Sequence, residues 1–195
     1  MSSRKPTGLA FAILLALSML GGCATPYREG QAALRHGRYE EAARYFNQAL
    51  AEDPGRTEAL AGLGIAQYGQ GAFDEAASTL ERAVAGRPDD VQARLYLALG
   101  YLQKLDAFRA EEQLTALRGL GPDPRLAAQI DRALDVIRSE PLTPPIRTFV
   151  AASLETETAL IRELREARLE AERARHLAAP PSCVVVRHRG RLFCI

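Results

Sequence analysis

A period of 34 residues runs through the front part of this chain, and it constrains the fold more than any other feature. Small residues recur at Gly30, Gly64 and Ala98, and alanines at Ala42, Ala76 and Ala110. Apolar residues follow at Phe46, Leu80 and Leu114, then at Ala49, Ala83 and Leu117, and prolines close each copy at Pro54, Pro88 and Pro122. A sequence that repeats at this length builds an array, because one copy cannot bury its apolar face until a neighbour stacks on it. The columns have a direct physical meaning. Small residues let two helices of a hairpin approach closely, and the prolines follow the second helix, which they cannot continue. Turns are expected at Gly37-Arg38-Tyr39 and Gly71-Ala72-Phe73, with their aromatics packing at the head of the second helix. In the third copy Leu105 replaces the turn glycine and the aromatic is Phe108, where the period asks for residue 107. That departure predicts a corner displaced by one residue.

These columns resemble the tetratricopeptide repeat, with its small residue in the first helix, A-x-x-x-F-x-x-A in the second, and closing proline. The resemblance implies an all-α, right-handed superhelix of about three helical hairpins, with repeats near 23–56, 57–90 and 91–123. Residues 124–138 continue as an amphipathic helix whose Leu126, Ile130, Leu134 and Ile137 share one side. Such a helix suits an array's open end, so 23–138 reads as one domain with a cap. Residues 139–145 hold three prolines and read as a linker. A long helix is expected over 146–178, its second half mixing Arg and Glu at spacings that permit i,i+3 and i,i+4 pairs. Leu160, Leu164, Ala167, Ala171, Ala174 and Ala178 form a heptad seam on it; the first reading is a solvated, salt-bridge-laced helix, and the alternative is a coiled-coil contact with a twin or a partner. Residues 179–195 read as a β-hairpin closed by a disulfide between Cys183 and Cys194, with a four-residue turn pairing Val186 with Arg191. A closed loop of this kind offsets the marginal stability of an isolated hairpin.

The first 22 residues differ from the rest. Arg4 and Lys5 precede an apolar run from Leu9 to Leu20, too short for an ordinary membrane span but suited to a signal-peptide core. It ends in Leu20-Gly21-Gly22-Cys23, which resembles the bacterial lipobox. The resemblance implies cleavage before Cys23, lipidation of its thiol (diacylglycerol, palmitate) and an exported body. Acyl chains contribute ~0.8 kcal/mol per buried methylene, enough for a firm anchor without a protein span. Of the three cysteines, lipidation of Cys23 leaves Cys183 and Cys194 as an even pair in an oxidising compartment. Ala24 after the cysteine, in a lipoprotein of this kind, goes with the periplasmic face of the outer membrane.

Chemistry is hard to find in the remainder. The chain carries 25 basic and 24 acidic residues, without the basic excess of a nucleic-acid binder. His36, His176 and His188 lie far apart and lack metal-ligand companions, so no metal and no cofactor are expected. Gly62-Leu63-Gly64 lacks the third glycine of a dinucleotide loop. The acidic pairs Glu40-Glu41, Asp74-Glu75 and Asp89-Asp90 sit where they offset helix dipoles, and no nucleophile–base arrangement suggests an enzyme.

What remains is a surface. In the repeat family, ligands lie along the first helix of each hairpin, where residues four and seven apart share a face. That face reads Tyr27, Gln31, Leu34; then Ala61, Ile65, Tyr68; then Leu95, Leu99, Leu102. The stripe is mostly apolar and fits an apolar or amphipathic helix of a cell-envelope protein. The chain's own C-terminal helix, or core packing alone, would fill it equally well. The expectation is a lipid-anchored adaptor in assembly or stabilisation of an envelope complex, similar in kind to pilotins of pili and secretion systems. Regulation of peptidoglycan enzymes is the alternative, and a spacer that self-associates as a homodimer through 146–178 is a third.

Overall fold

The computed structural model describes residues 25–178 and the strands Val185–His188 and Arg191–Cys194. The leader, the lipobox with Cys23, and Cys183 lie outside the described residues. Eight helices are described: α1 Pro26–Arg35, α2 Tyr39–Glu52, α3 Thr57–Gly69, α4 Phe73–Gly86, α5 Val91–Gln103, α6 Ala107–Gly119, α7 Pro124–Ser139 and α8 Pro144–Ala178. They are followed by strands β1 Val185–His188 and β2 Arg191–Cys194. The chain divides into two compact units, residues 1–120 and 121–195.

In the first unit the 34-residue period becomes three helical hairpins. Phe46 shows how the small-residue columns work. Its ring is wholly buried among Ala33, Ala42, Ala49, Ala59, Leu63 and Ala66, a cluster drawn from α1, α2 and α3. A Cβ added at Gly30 would stand 2.9 Å from its Cε1, and one at Gly62 would stand closer still to the same ring. Helix α1 of one hairpin and α3 of the next therefore both lack side chains where the ring lies. One aromatic ties two repeats together.

The three corners share one geometry. Gly37, Gly71 and Leu105 have φ of 68°, 79° and 59°. In each corner the next residue's N–H reaches back five positions: Arg38 to Ala33 O at 2.9 Å, Ala72 to Gln67 O at 3.0 Å, and Asp106 to Tyr101 O at 2.9 Å. This bond satisfies a carbonyl left open at the helix end, and it needs a left-handed residue before it. The displaced corner expected at the third repeat is not found: α2, α4 and α6 begin in register at Tyr39, Phe73 and Ala107. Leu105 accepts the left-handed conformation instead, and Phe108 stays on the surface, 78% exposed.

Helix starts differ along the chain. Asp90, Asp106 and Asp123 cap α5, α6 and α7 by accepting from the N–H of Ala93, Arg109 and Arg125 at 2.9, 3.1 and 2.9 Å. Helices α1 to α4 have no side-chain cap, although Glu40-Glu41 and Asp74-Glu75 occupy the first turns of α2 and α4.

In the second unit α7 packs against α8. The four expected apolar residues of α7, Leu126, Ile130, Leu134 and Ile137, are buried, as are Val150, Ala151 and Leu154 of α8. The proline-rich stretch is shorter than expected. Helix α8 starts at Pro144, because prolines in a first turn lose no hydrogen bond and bring the right φ. Its 35 residues outrun the 16 of α7, and residues 162–175 are exposed throughout.

Strands β1 and β2 are antiparallel, with Val185 opposite Cys194, Val186 opposite Phe193 and His188 opposite Arg191. This differs by two residues from the expected register, in which Val186 met Arg191 and Cys183 met Cys194. The strands are thus separated by two residues, the connection whose twist best matches paired strands. The sequence argument for a disulfide, that the register itself would bring its cysteines together, loses its basis.

Candidate partner-binding groove

A curved array has an inner and an outer side, and helix contacts identify them. In the first unit α1 packs on α3 and α3 on α5, whereas no such contact joins α2 to α4 or α4 to α6 among the described residues. First helices are thus closer together than second helices, so their line forms the inner side of the curve.

The nine stripe residues fare differently on that side. At the first repeat Tyr27 and Leu34 are half-buried and Gln31 is exposed. Gln31 donates from Nε2 to the Tyr27 hydroxyl at 2.6 Å, and the Arg56 guanidinium lies 4.1 Å from the centre of the Tyr27 ring. The ring also meets Phe46 edge-on, centroids 5.9 Å apart. Burial, with the charge of Glu58 second, raises the Tyr27 pKa above the ordinary phenol value. At the second repeat Ala61 and Ile65 are buried, 6% and 8% exposed, while Tyr68 is half-buried. Tyr68 packs on Phe73 and Tyr96, each with centroids 5.4 Å away, and its hydroxyl accepts from Gln103 Nε2 at 3.2 Å. At the third repeat Leu95, Leu99 and Leu102 are wholly buried and present no surface. Residues spaced four and seven apart share a helix face, but that spacing says nothing of what covers the face.

The accessible part of the stripe is therefore mainly aromatic and polar, Tyr27, Gln31 and Tyr68, with Leu34 half-buried beside them. Sequence reasoning missed its charged edge at the starts of the first helices. Arg87 pairs with Glu58, approaches Asp90 at 3.8 Å and donates to Thr57 Oγ1 at 3.4 Å. With Arg56 these side chains give the surface both signs of charge. The signal available was charge at matching repeat positions, Arg56 just before one first helix and Asp90 just before the next.

A second polar group locks the last two hairpins. Tyr101 of α5, 4% exposed, donates its hydroxyl to Glu81 of α4, and the Arg109 guanidinium of α6 lies 5.4 Å from the Tyr101 ring centre. Burial first, then the hydrogen bond to Glu81, pushes the Tyr101 pKa up to about 12. Three helices are held by one phenol. No group of His, Cys, Asp and Glu among the described residues is placed to hold a metal ion. No described helix is long and apolar enough to cross a membrane.

Residues 27–91 and 66–123 match the family model of the tetratricopeptide repeat. The hairpins of this chain are tetratricopeptide repeats. Solved structures of the same fold include the type III secretion translocator chaperone SycD of Yersinia enterocolitica, 20% identical with a TM-score of 0.55, over 63% of this chain and 90% of that one. A type III secretion complex from Aeromonas hydrophila is 22% identical with a TM-score of 0.55, over 67% of this chain and 95% of that one. The O-GlcNAc transferase of Thermobaculum terrenum is 24% identical with a TM-score of 0.53, over 77% of this chain but 26% of that one. At these identities the likeness shows the fold alone. A comparison with curated proteins gives no significant match. Tetratricopeptide repeats are a protein-interaction scaffold and typically non-enzymatic, although one of these neighbours is a transferase.

Proposed function

We propose that this chain is a lipid-anchored tetratricopeptide adaptor that holds a segment of another cell-envelope protein against α1 and α3 during assembly or stabilisation of a complex. The observation that carries this reading is the accessible line Tyr27, Gln31, Tyr68 on the inner side of the array, rimmed by Arg56, Glu58 and Arg87. Two rings keep partly open faces there, and amphipathic aromatics anchor interfaces at little entropic cost. A mixed-charge rim selects an amphipathic helix over a wholly apolar one. The secretion chaperone SycD has been solved with a peptide of the translocator YopD, so the fold supports peptide capture in at least one relative of similar architecture.

The anchor follows from the leader: removal of residues 1–22 and acylation of Cys23 would leave three residues before α1 begins at Pro26, counting Cys23 itself. A fully extended tether of that length reaches about 10 Å, so the first repeat would stand beside the bilayer. Ala24 assigns the anchor to the outer membrane, facing the periplasm.

Two experiments test the two halves. The chain purified from detergent-solubilised membranes is expected to bring down an envelope protein, and Gln31→Arg with Tyr68→Arg is expected to lose it while far-ultraviolet circular dichroism stays unchanged. Equal recovery by the double variant refutes the groove. Metabolic labelling with palmitate is expected to mark the chain and to vanish in Cys23→Ser; an unlabelled parent chain refutes the anchor.

A further inference from the structure

The exposed half of α8 carries a charge pattern that its own helix uses only in part. From residue 162 to 175 every side chain is exposed, and Leu160, Leu164 and Leu169 stand 40%, 50% and 47% open. At 1.5 Å per residue, the 19 residues by which α8 exceeds α7 extend roughly 28 Å. Its nearer part, Ile161, Leu164, Arg165 and Arg168, lines a recess with Asp123 and Arg125 at the start of α7, and beyond it a polar helix is marginal in water unless pairs on its surface or a neighbour hold it.

Its surface pairs are poor. The favourable order on one helix is Glu followed four residues later by Arg or Lys. None of Glu163, Glu166, Glu170 and Glu172 has such a follower, since residues 167, 170, 174 and 176 are Ala167, Glu170, Ala174 and His176. Glu170 and Glu172 do precede Arg173 and Arg175 by three, and Arg162 and Arg168 precede Glu166 and Glu172 by four, in the weaker order. Glu163, Arg168 and Glu170 have no ion-pair partner among the described residues.

Opposite charges also recur at a spacing of five. Glu163 precedes Arg168 and Glu170 precedes Arg175 by five residues. Residues five apart on one helix point in divergent directions, and so cannot pair within it. With Leu164 and Ala171 as a positions and Leu160, Ala167 and Ala174 as d positions, both glutamates fall at g and both arginines at e. In a parallel coiled coil, g of one heptad lies against e of the following heptad on the other helix, five residues on. In an antiparallel pair g would meet g and e would meet e, placing Glu against Glu and Arg against Arg.

We propose that α8 pairs with the α8 of a second copy of this chain, parallel and in register over residues 160–178, with Glu163 and Glu170 of each copy set against Arg168 and Arg175 of the other. The apolar seam supplies contact and the charges supply orientation. Leu160 and Leu164 fill the wide end, and the alanines beyond them bring the two backbones close. This inference concerns the second unit and stands or falls apart from the groove on α1 and α3.

The full chain in detergent is expected to sediment as two copies at micromolar concentrations. Glu163→Arg with Glu170→Arg turns every g–e contact repulsive, and is expected to weaken association about tenfold or more. Arg168→Glu with Arg175→Glu is expected to do the same. An equimolar mixture of the two variants is expected to restore pairing, which a lost fold would not allow. Ala171→Cys is expected to cross-link to its own counterpart under mild oxidation, read as a linked peptide by mass spectrometry. A parent chain that sediments as one copy, variants that associate like the parent, or a mixture that stays apart would each overturn the proposal.

Discussion

Phe46 gives the sharpest test of how the repeats are joined. Gly62 lies in the interior of α3, where alanine is ordinarily favoured over glycine by about 1 kcal/mol. Here the added methyl meets the Phe46 ring, with the ring's Cε2 at 2.7 Å and two further ring atoms nearer. The ring is wholly buried and cannot swing to solvent, so it or α3 has to move. Overpacking of this kind costs about 1–3 kcal/mol, and contacts this short belong at the upper end. Subtracting the helix gain leaves Gly62→Ala destabilising by about 2 kcal/mol. Phe46→Ala alone empties the site and costs about 3–5 kcal/mol. In that background the obstruction is gone, and Gly62→Ala should then stabilise by about 1 kcal/mol. The substitution thus reverses sign, with a coupling near 3 kcal/mol between residues on neighbouring hairpins. Urea unfolding of the parent chain, both single variants and the double variant, followed by circular dichroism, measures all four corners. If Gly62→Ala has the same sign in both backgrounds, the ring does not stand between α1 and α3 as described.

Other expectations follow from the corners, caps and buried phenol. Gly71→Ala meets no atom within 4 Å, so its cost is the left-handed backbone alone, about 1 kcal/mol in urea unfolding. Asp106→Ala removes the bond to the Arg109 N–H and should cost about 1 kcal/mol in the same assay. Tyr101 binds its proton more tightly folded than unfolded. Its contribution to stability is therefore complete below pH 10, the ordinary phenol value, and is lost as pH rises to about 12. Unfolding free energies measured across that window should show a downward slope that Tyr101→Phe reduces, and an unchanged slope would refute the assignment.

The sequence made the three hairpins legible because repetition states the same packing problem three times. Gly30 and Phe46 stand in its columns, whereas Gly62, the third member of their contact, does not. Leu105 was misread for a physical reason: a leucine can take the left-handed conformation where the corner's hydrogen bond from Asp106 to Tyr101 and the packing of both helices require it, and periodicity does not weigh those terms. Pro144 was read as a helix breaker, although at a helix start it is a helix former. The groove was half legible. Helical spacing named a common face, but exposure depends on what covers it, and Leu95, Leu99 and Leu102 proved wholly buried. The charged edge of Arg56, Glu58 and Arg87 required three-dimensional neighbours, since Arg87 follows α4 while Thr57 and Glu58 begin α3 of the same hairpin.

The uneven caps divide the array by softness. Amides at the starts of α1 to α4 rely on solvent and dipole compensation, while those of α5 and α6 hold an aspartate. In a linear array, local opening follows the strength of each unit and its neighbours, so hydrogen exchange should be faster towards Pro26 than towards Gly119. The compliant end is also where Tyr27 and Gln31 lie. A guest seated there would slow exchange mainly in α1 and α3, tightening the loose end onto a rigid foot.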